Sequence, residues 1–189
     1  MGVPRISTGP MTVDEFYAFT DGRPDEEKWE LIDGEPVLNA SPSRLHQRIV
    51  QNLSLALGNR AQGRHWEVLA GLGVRISETQ RPEPDLLILP LAPEESLAQR
   101  DSSDAVAAFE ILSPSTADRD LRWKRTAYTS LPSLTHYVIV AQDAVDVVVL
   151  ARSDGFAERR LRSLNDVLSF PELEVSIPLS EVYRNTGLR

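Results

Sequence analysis

The spacing of apolar residues along the chain predicts both helices and strands. The clearest helix follows Ser41-Pro42, where apolar residues recur every four positions from Leu45 to Leu57. Serine followed by proline is typical of a helix start, and this spacing places the apolar residues on one helix face. The capping-box pattern Thr12-Val-Asp-Glu15 predicts a shorter helix near the N-terminus. A third helix is expected over residues 118–130.

Short apolar segments bounded by turn residues predict the strands. Asp33-Gly34 lies between two such segments, residues 29–32 and 35–38, which is typical of a two-residue β-hairpin. The remaining predicted strands are residues 65–70, 73–76, 85–89, 105–112, 136–140, 144–151 and 157–161. Between them, residues 90–104 form a polar, acid-rich loop, and two short pieces follow at residues 165–168 and 179–183.

The order of these elements predicts an α+β or mixed α/β fold, with one central sheet and helices packed against it. We expect residues 1–10 to be a flexible tail and residues 11–189 to form a single domain, which the length permits. The apolar runs are too short to span a bilayer, and the N-terminus has no apolar signal segment. The expected location is therefore cytoplasmic.

Composition narrows the possible chemistry. The chain contains no cysteine and three histidines, none at a zinc-type spacing, so disulfides and thiolate metal sites are excluded. The formal net charge is −8, whereas a general nucleic-acid binder is usually basic. Of the 20 basic residues, 18 are arginine and only Lys28 and Lys124 are lysine. A lysine in such a background is a candidate functional residue. The pKa of its compact ammonium group can be tuned, whereas the guanidinium of arginine stays charged and has a rigid, forked geometry.

Two carboxylates on neighbouring predicted strands form a candidate metal site. Asp85 opens one strand, and Glu110 interrupts the otherwise apolar run Ala105–Leu112. A carboxylate inside a buried strand is costly unless it is paired or binds a metal. Converging carboxylates suit Mg²⁺, and a structural ion pair with arginine is the alternative.

Lys124 lies in the helix that follows the Glu110 strand, and its long side chain could reach back over the strand end. Tyr128 follows four residues later, on the same helix face. The alternative for Lys124 is a surface pair with Asp120, worth only about 0.3–0.5 kcal/mol.

These residues closely resemble the Uma-type (Uma-two) family of "putative restriction endonucleases", which is placed in the PD-(D/E)xK nuclease superfamily. The resemblance spans roughly Met11 to Val182. It rests on Glu30-Leu-Ile-Asp-Gly34, His46, Pro84-Asp85, Glu110-Ile-Leu-Ser-Pro-Ser-Thr116, Asp120, Lys124, Tyr128, His136-Tyr-Val-Ile-Val140 and Phe170-Pro-Glu-Leu173. It implies a restriction-endonuclease-like fold, in which a central mixed β-sheet is flanked by helices and preceded by an N-terminal helix and hairpin.

The resemblance also implies a Mg²⁺- or Mn²⁺-dependent endodeoxyribonuclease, a hydrolase acting on phosphodiester bonds. Asp85, Glu110 and the backbone carbonyl of Ile111 would bind the metal. The superfamily's usual lysine stands two residues after the glutamate, where this chain has Leu112. In the Uma-type pattern the lysine has migrated to the next helix, which makes Lys124 the catalytic lysine here.

Other residues are weaker candidates. Glu30 could be a further acid near the metal, although a solvated hairpin face is slightly favoured. His46 could contact a phosphate or the metal shell, and a surface or packing role fits equally well. A basic stretch of the third helix is the expected contact for DNA phosphates, with a solvated helix surface as the alternative. Its basic residues are Arg119, Arg122, Lys124 and Arg125. Trp123 could stack on a base, although an ordinary packing role is favoured.

Two other functions fit the sequence. One is a catalytically inactive nuclease-fold module for binding or assembly, which the net charge and Leu112 favour. The other is a metal-dependent hydrolase of a small phosphorylated substrate, which an acidic surface would admit. A homodimer is also possible, with the apolar residues 138–140 and 145–150 as candidate edge strands.

Overall fold

The computed structural model describes residues 9–24, 26–112 and 120–189. Most of the expected tail, residues 1–8, lies outside the described residues, as do the turn predicted at residues 113–116 and the first residues of the third helix. The helices are α1 (Val13–Thr20), α2 (Arg44–Ala61), α3 (Arg125–Thr129) and α4 (Leu179–Val182). A π-helical turn, Asp120–Lys124, leads into α3, and 3₁₀ turns occupy Glu94–Ser96, Arg152–Asp154 and Pro171–Leu173.

The described strands form one large sheet and three small ones. They are β1 (Trp29–Ile32), β2 (Glu35–Leu38), β3 (Trp66–Leu69), β4 (Gly73–Val74), β5 (Leu86–Pro90), β6 (Asp101–Ser102), β7 (Ala107–Leu112), β8 (His136–Ala141), β9 (Val147–Ala151), β10 (Glu158–Leu161), β11 (Val167–Phe170) and β12 (Val175–Pro178). The large sheet has the order β10-β9-β8-β7-β5-β3. Only β7 and β8 pair in parallel within it, so the sheet is mixed as expected.

The N-terminal unit follows the local sequence signals. The Thr12 side chain accepts a hydrogen bond from the Glu15 amide at 3.3 Å, and the Glu15 carboxylate accepts from the Thr12 amide at 2.8 Å. The predicted capping box is therefore confirmed. Asp33 and Gly34 both have positive φ, at 51° and 82°, which a two-residue turn of type I′ requires. The predicted hairpin β1–β2 is confirmed as well.

The apolar core lies on both faces of the large sheet. Strands β5, β7 and β8 are buried along nearly their whole length, as their almost continuous apolar sequences require. Helix α2, the hairpin β11–β12 and α4 pack on one face, through residues such as Leu53 and Ile177. Tyr128 of α3 packs on the other face with Tyr137 of β8.

Two sequence-based expectations differ from the structure. Helix α2 begins at Arg44 with Ser43 as its N-cap, because the Ser43 hydroxyl accepts from the His46 amide at 3.1 Å. The start predicted at Ser41-Pro42 is therefore two residues early. Strands β8 and β9 are interior, and β10 and β3 form the edges of the large sheet. The suggestion that residues 138–140 and 145–150 form an edge is therefore wrong.

None of the described helices has the length and apolar character needed to cross a membrane.

Candidate nuclease site

Asp85 and Glu110 lie at the junction of β5 and β7. These strands are antiparallel, with Leu86 opposite Phe109, and the next pair in that register is Asp85 and Glu110. Residues directly opposite one another in such a pair project on the same side of the sheet. The Ile111 amide donates a hydrogen bond to Asp85 Oδ2 at 2.8 Å, which ties the start of β5 to the end of β7. The pairing of these strands was predicted from the sequence, and it brings the two acids together.

His46 reaches the same carboxylate from helix α2. Its Nε2 lies 3.1 Å from Asp85 Oδ2, so this oxygen contacts both the imidazole and the Ile111 amide. The Ser43 cap fixes the first turn of α2, and the Ser43 hydroxyl also donates to Gln142 Oε1 at 2.7 Å. His46 is buried rather than a surface residue, and its Nδ1 has no hydrogen-bond partner among the described residues.

Lys124 is placed by the π-helical turn that precedes α3. π-Helical turns are rare and occur often at functional sites. Lys124 Nζ lies 2.9 Å from Glu110 Oε1 and 2.9 Å from Glu30 Oε1. The residue is only 4% exposed, so Lys124 is not the solvated surface residue that the alternative expected, and the side chain of Asp120 lies outside what the structure describes. The sequence predicted that this side chain reaches back over the strand end, and the distance shows that it does.

Glu30 projects from hairpin strand β1 into the same cluster. It is 0% exposed, so the favoured expectation of a solvated hairpin face is wrong. The Glu83 amide donates to Glu30 Oε1 at 2.7 Å, and paired backbone hydrogen bonds between Leu31 and Arg81 fix this segment against β1. Glu30 Oε2 is buried without a hydrogen-bond partner among the described residues. An unpartnered buried carboxylate oxygen is costly, and this one lies beside the ammonium group.

Tyr128 is a site residue to which the sequence assigned no role. Its hydroxyl donates to Glu110 Oε1 at 3.0 Å, and the side chain is completely buried. The spacing of four residues from Lys124 was the signal, because it predicts that both side chains lie on one helix face. The spacing does not indicate which part of the protein that helix face contacts.

The electrostatics of this group are dominated by burial. Burial raises the pKa of Glu110 to about 8; Lys124 opposes this rise, whereas Asp85 and Glu30 add to it. Burial also raises the pKa of Tyr128 well above its usual value, so its hydroxyl stays a hydrogen-bond donor. Glu30 and Glu110 therefore share one ammonium group in a buried setting, and Asp85 pairs with His46 beside them.

The donor set fits a hard divalent cation in chemistry, although it is not a closed cage. Among the described residues, no group of three histidine or acidic side chains converges closely enough to hold a metal. Mg²⁺ is usually bound by one or two carboxylates and keeps several waters. Within the described part of the chain, donors occupy only Oδ2 of Asp85 and Oε1 of Glu110. No described donor contacts the second oxygen of either carboxylate, and 18% of the Asp85 side chain is exposed.

The expected nucleic-acid contacts are only partly available. Arg122 is exposed, whereas Arg125 binds Glu158 Oε1 at 2.7 Å and the Phe156 carbonyl at 3.0 Å. Trp123 is partly buried, and its indole N–H donates to Asp33 Oδ2 at 2.9 Å. Trp123 therefore ties the π-helical turn to the β1–β2 turn, and Arg125 ties α3 to β10. Arg119 lies outside the described residues.

Comparisons with known proteins agree with this architecture. A solved structure described as "a putative nuclease belonging to DUF820 from Anabaena variabilis ATCC 29413" superposes with a TM-score of 0.76. The similarity covers 92% of this chain and 98% of that chain at 14% sequence identity. At this identity the match shows a shared fold, and that fold is nuclease-like. A search of curated proteins gave no significant match.

The family follows from the sequence itself. Residues 13–180 match the family model "Uma2: Putative restriction endonuclease". The chain belongs to this family, as its motifs suggested, and the family match supports assignment as a nuclease. The roles of the individual site residues stay predictions.

Proposed function

We propose that the protein is a Mg²⁺-dependent endonuclease that hydrolyses phosphodiester bonds of DNA. The observation that carries this proposal is the buried Lys124 ammonium, which lies 2.9 Å from Glu110 Oε1 beside the Asp85 carboxylate. Two carboxylates and a lysine in one place are the groups that metal-assisted phosphodiester hydrolysis needs. The family description supports DNA as the substrate.

Asp85 and Glu110 would hold the cation through Oδ1 and Oε2, the oxygens that accept no hydrogen bond from the residues that the structure describes. The Ile111 carbonyl is the further ligand implied by the family pattern. A cation bound there would supply an activated water and neutralise charge on the phosphate. The hydrogen bonds from His46 and from the Ile111 amide keep Asp85 in place.

Lys124 contributes a positive charge that belongs to the protein, in addition to the charge that a bound cation would supply. Glu30 also holds the ammonium, at 2.9 Å, and the Glu83 amide in turn anchors Glu30. This arrangement explains how Leu112 can replace the usual strand lysine, because the helix delivers an ammonium to the same carboxylate. From there Lys124 can orient the attacking water or stabilise charge that develops on the phosphate oxygens.

The test is cleavage of supercoiled plasmid DNA with Mg²⁺ or Mn²⁺, by the wild type and by Glu110→Gln. Glu181→Gln is the matched control, since it removes the same charge from a surface pair with Arg60. We expect cleavage by the wild type and by Glu181→Gln, and at least a 100-fold loss in Glu110→Gln. Equal activity in wild type and Glu110→Gln would contradict the proposal.

A second candidate function is a non-catalytic module on the same fold. The observation that favours it is the ion pair itself, because Lys124 pairs with Glu110 and Glu30 without any cation. Calorimetry with Mn²⁺ separates the two functions. Binding that is lost in Asp85→Asn supports the nuclease, whereas no binding by a folded wild type supports the module.

A further inference from the structure

The hydroxyl of Tyr128 forms a hydrogen bond to Glu110 that has no role in the proposed chemistry. It donates to Glu110 Oε1 at 3.0 Å, the same oxygen that accepts from Lys124 Nζ at 2.9 Å. Two donors on one carboxylate oxygen define the orientation of the whole group. Glu110 is thus fixed by two residues of one helical segment.

The Tyr128 ring cannot easily move away from this position. It is completely buried, and its centroid lies 5.1 Å from that of Tyr137 at an interplanar angle of 47°. Leu131 and Leu134 belong to the same apolar cluster on this face of the sheet. Buried aromatic rings in such packing keep one rotamer, because the interior is close-packed. The hydroxyl therefore points at Glu110 with little freedom.

We infer that Tyr128 is a positioning residue that holds Glu110 Oε1 and so reserves Glu110 Oε2 for the divalent cation. This inference rests on the proposed function, since it needs a cation at Glu110. Lys124 alone would be a poor orienting group, because it is shared with Glu30. Hydrogen bonds to a metal-binding carboxylate typically change metal affinity by 10- to 100-fold when they are removed.

Tyr128→Phe removes only the hydroxyl and is the direct test. Tyr183→Phe is the matched control, because its buried hydroxyl donates to the Ala141 and Asp146 carbonyls outside the site. We expect Mn²⁺ to bind Tyr128→Phe about 10-fold more weakly by calorimetry, and Tyr183→Phe to bind as the wild type does. DNA cleavage by Tyr128→Phe should recover at saturating Mg²⁺, whereas a merely unstable protein would stay impaired at every Mg²⁺ concentration.

Tyr128→Phe and wild type with equal Mn²⁺ affinities would overturn the inference and leave the proposed function standing. A wild type that binds no Mn²⁺ would contradict the proposed function itself. Should Tyr128→Phe not fold, fluorotyrosine at position 128 of the otherwise unchanged chain replaces it. Its fluorine resonance should shift on addition of Mg²⁺, and an unchanged resonance in a metal-binding protein would overturn the inference.

A measurement without metal tests the same contact. In the presence of chelator, the free energies of unfolding of Tyr128→Phe, Glu110→Ala and the double variant form a thermodynamic cycle. We expect the two substitutions to be strongly non-additive, because each removes the same hydrogen bond. Additive effects would show that Tyr128 does not hold Glu110.

Discussion

Two charged clusters in this protein differ in how their charges are balanced. The carboxylate cluster comprises Glu30, Asp85 and Glu110 with Lys124 and His46. The arginine cluster lies beneath α1, and its ion pairs are Arg75–Asp101, Arg81–Glu83 and Arg100–Asp21, at 3.2, 3.1 and 2.6 Å. Each arginine there has an acid of its own. In the carboxylate cluster, three acids share one ammonium group and one imidazole.

This difference in charge balance makes the carboxylate cluster the better candidate for binding a cation. In the arginine cluster the charged groups find their partners within the cluster. Arg81, its most buried arginine, donates hydrogen bonds to Tyr17, Glu83 and the Arg100 carbonyl. Among the described groups, the carboxylate cluster has three acids for one ammonium group and one imidazole, and Glu30 Oε2 is buried without a hydrogen-bond partner. A cation held by Asp85 and Glu110 would offset the excess of acids in this cluster, which is the physical basis of the proposed metal site.

The largest expected difference between the clusters concerns stability. Lys124→Met leaves Glu30 and Glu110 buried without their shared partner, so we expect a loss of about 3–5 kcal/mol in the free energy of unfolding. Arg100→Met removes an exposed pair and a stacking contact on Tyr17, and should cost about 1 kcal/mol. Urea denaturation measures the loss of unfolding free energy in both variants. Equal losses would contradict the proposed difference between the two clusters.

The response to metal should separate the clusters next. At a free Mn²⁺ concentration 100 times its dissociation constant, binding should stabilise the wild type by about 2.7 kcal/mol. For a domain of this size the melting temperature then rises by roughly 5–10 °C. Asp101→Asn should keep this rise and Asp85→Asn should lose it. A rise that survives in Asp85→Asn would place the metal elsewhere.

His46 should have a smaller effect, confined to the carboxylate cluster. His46→Ala removes the donor to Asp85 Oδ2, and we expect Mn²⁺ affinity to fall about 10-fold. His46→Gln keeps a donor and should recover part of that loss, whereas His65→Ala changes an exposed histidine and should have no effect. Calorimetry on the three variants is the check, and an unchanged affinity in His46→Ala would remove His46 from the site.

The smallest effect is expected at the basic surface beside the cluster. Arg122→Gln should weaken DNA binding and lower the slope of log affinity against log salt concentration by about 1. Arg125→Gln should change this slope less, because Arg125 is already paired with Glu158. Binding titrations over a range of salt concentrations measure both slopes. Equal changes would show that DNA displaces Glu158.

Local sequence signals predicted much of the fold. The capping box at Thr12, the turn at Asp33-Gly34 and the apolar strands β5, β7 and β8 depend on near neighbours, and each appears in the structure. The hairpin β11–β12 was missed, because its strands are short and separated by a proline-containing turn. The start of α2 was misplaced because Ser41 and Ser43 are both possible caps.

The site was predictable where strand pairing alone determines the geometry. Asp85 and Glu110 meet because β5 and β7 are neighbours, and Lys124 follows in the next helix. Glu30 and His46 approach through contacts between elements that are distant in sequence, which no local pattern encodes. The π-helical turn also carries no clear sequence signal, so the precise placement of Lys124 came only from the structure.

The most direct test of the account is a crystal structure of the protein soaked with Mn²⁺. We predict an anomalous difference peak at about 2.0–2.3 Å from one oxygen of Asp85 and one oxygen of Glu110, with Lys124 still bound to Glu30. An empty site at saturating Mn²⁺, or a peak bound by other residues, would contradict the metal-dependent chemistry proposed for this family member.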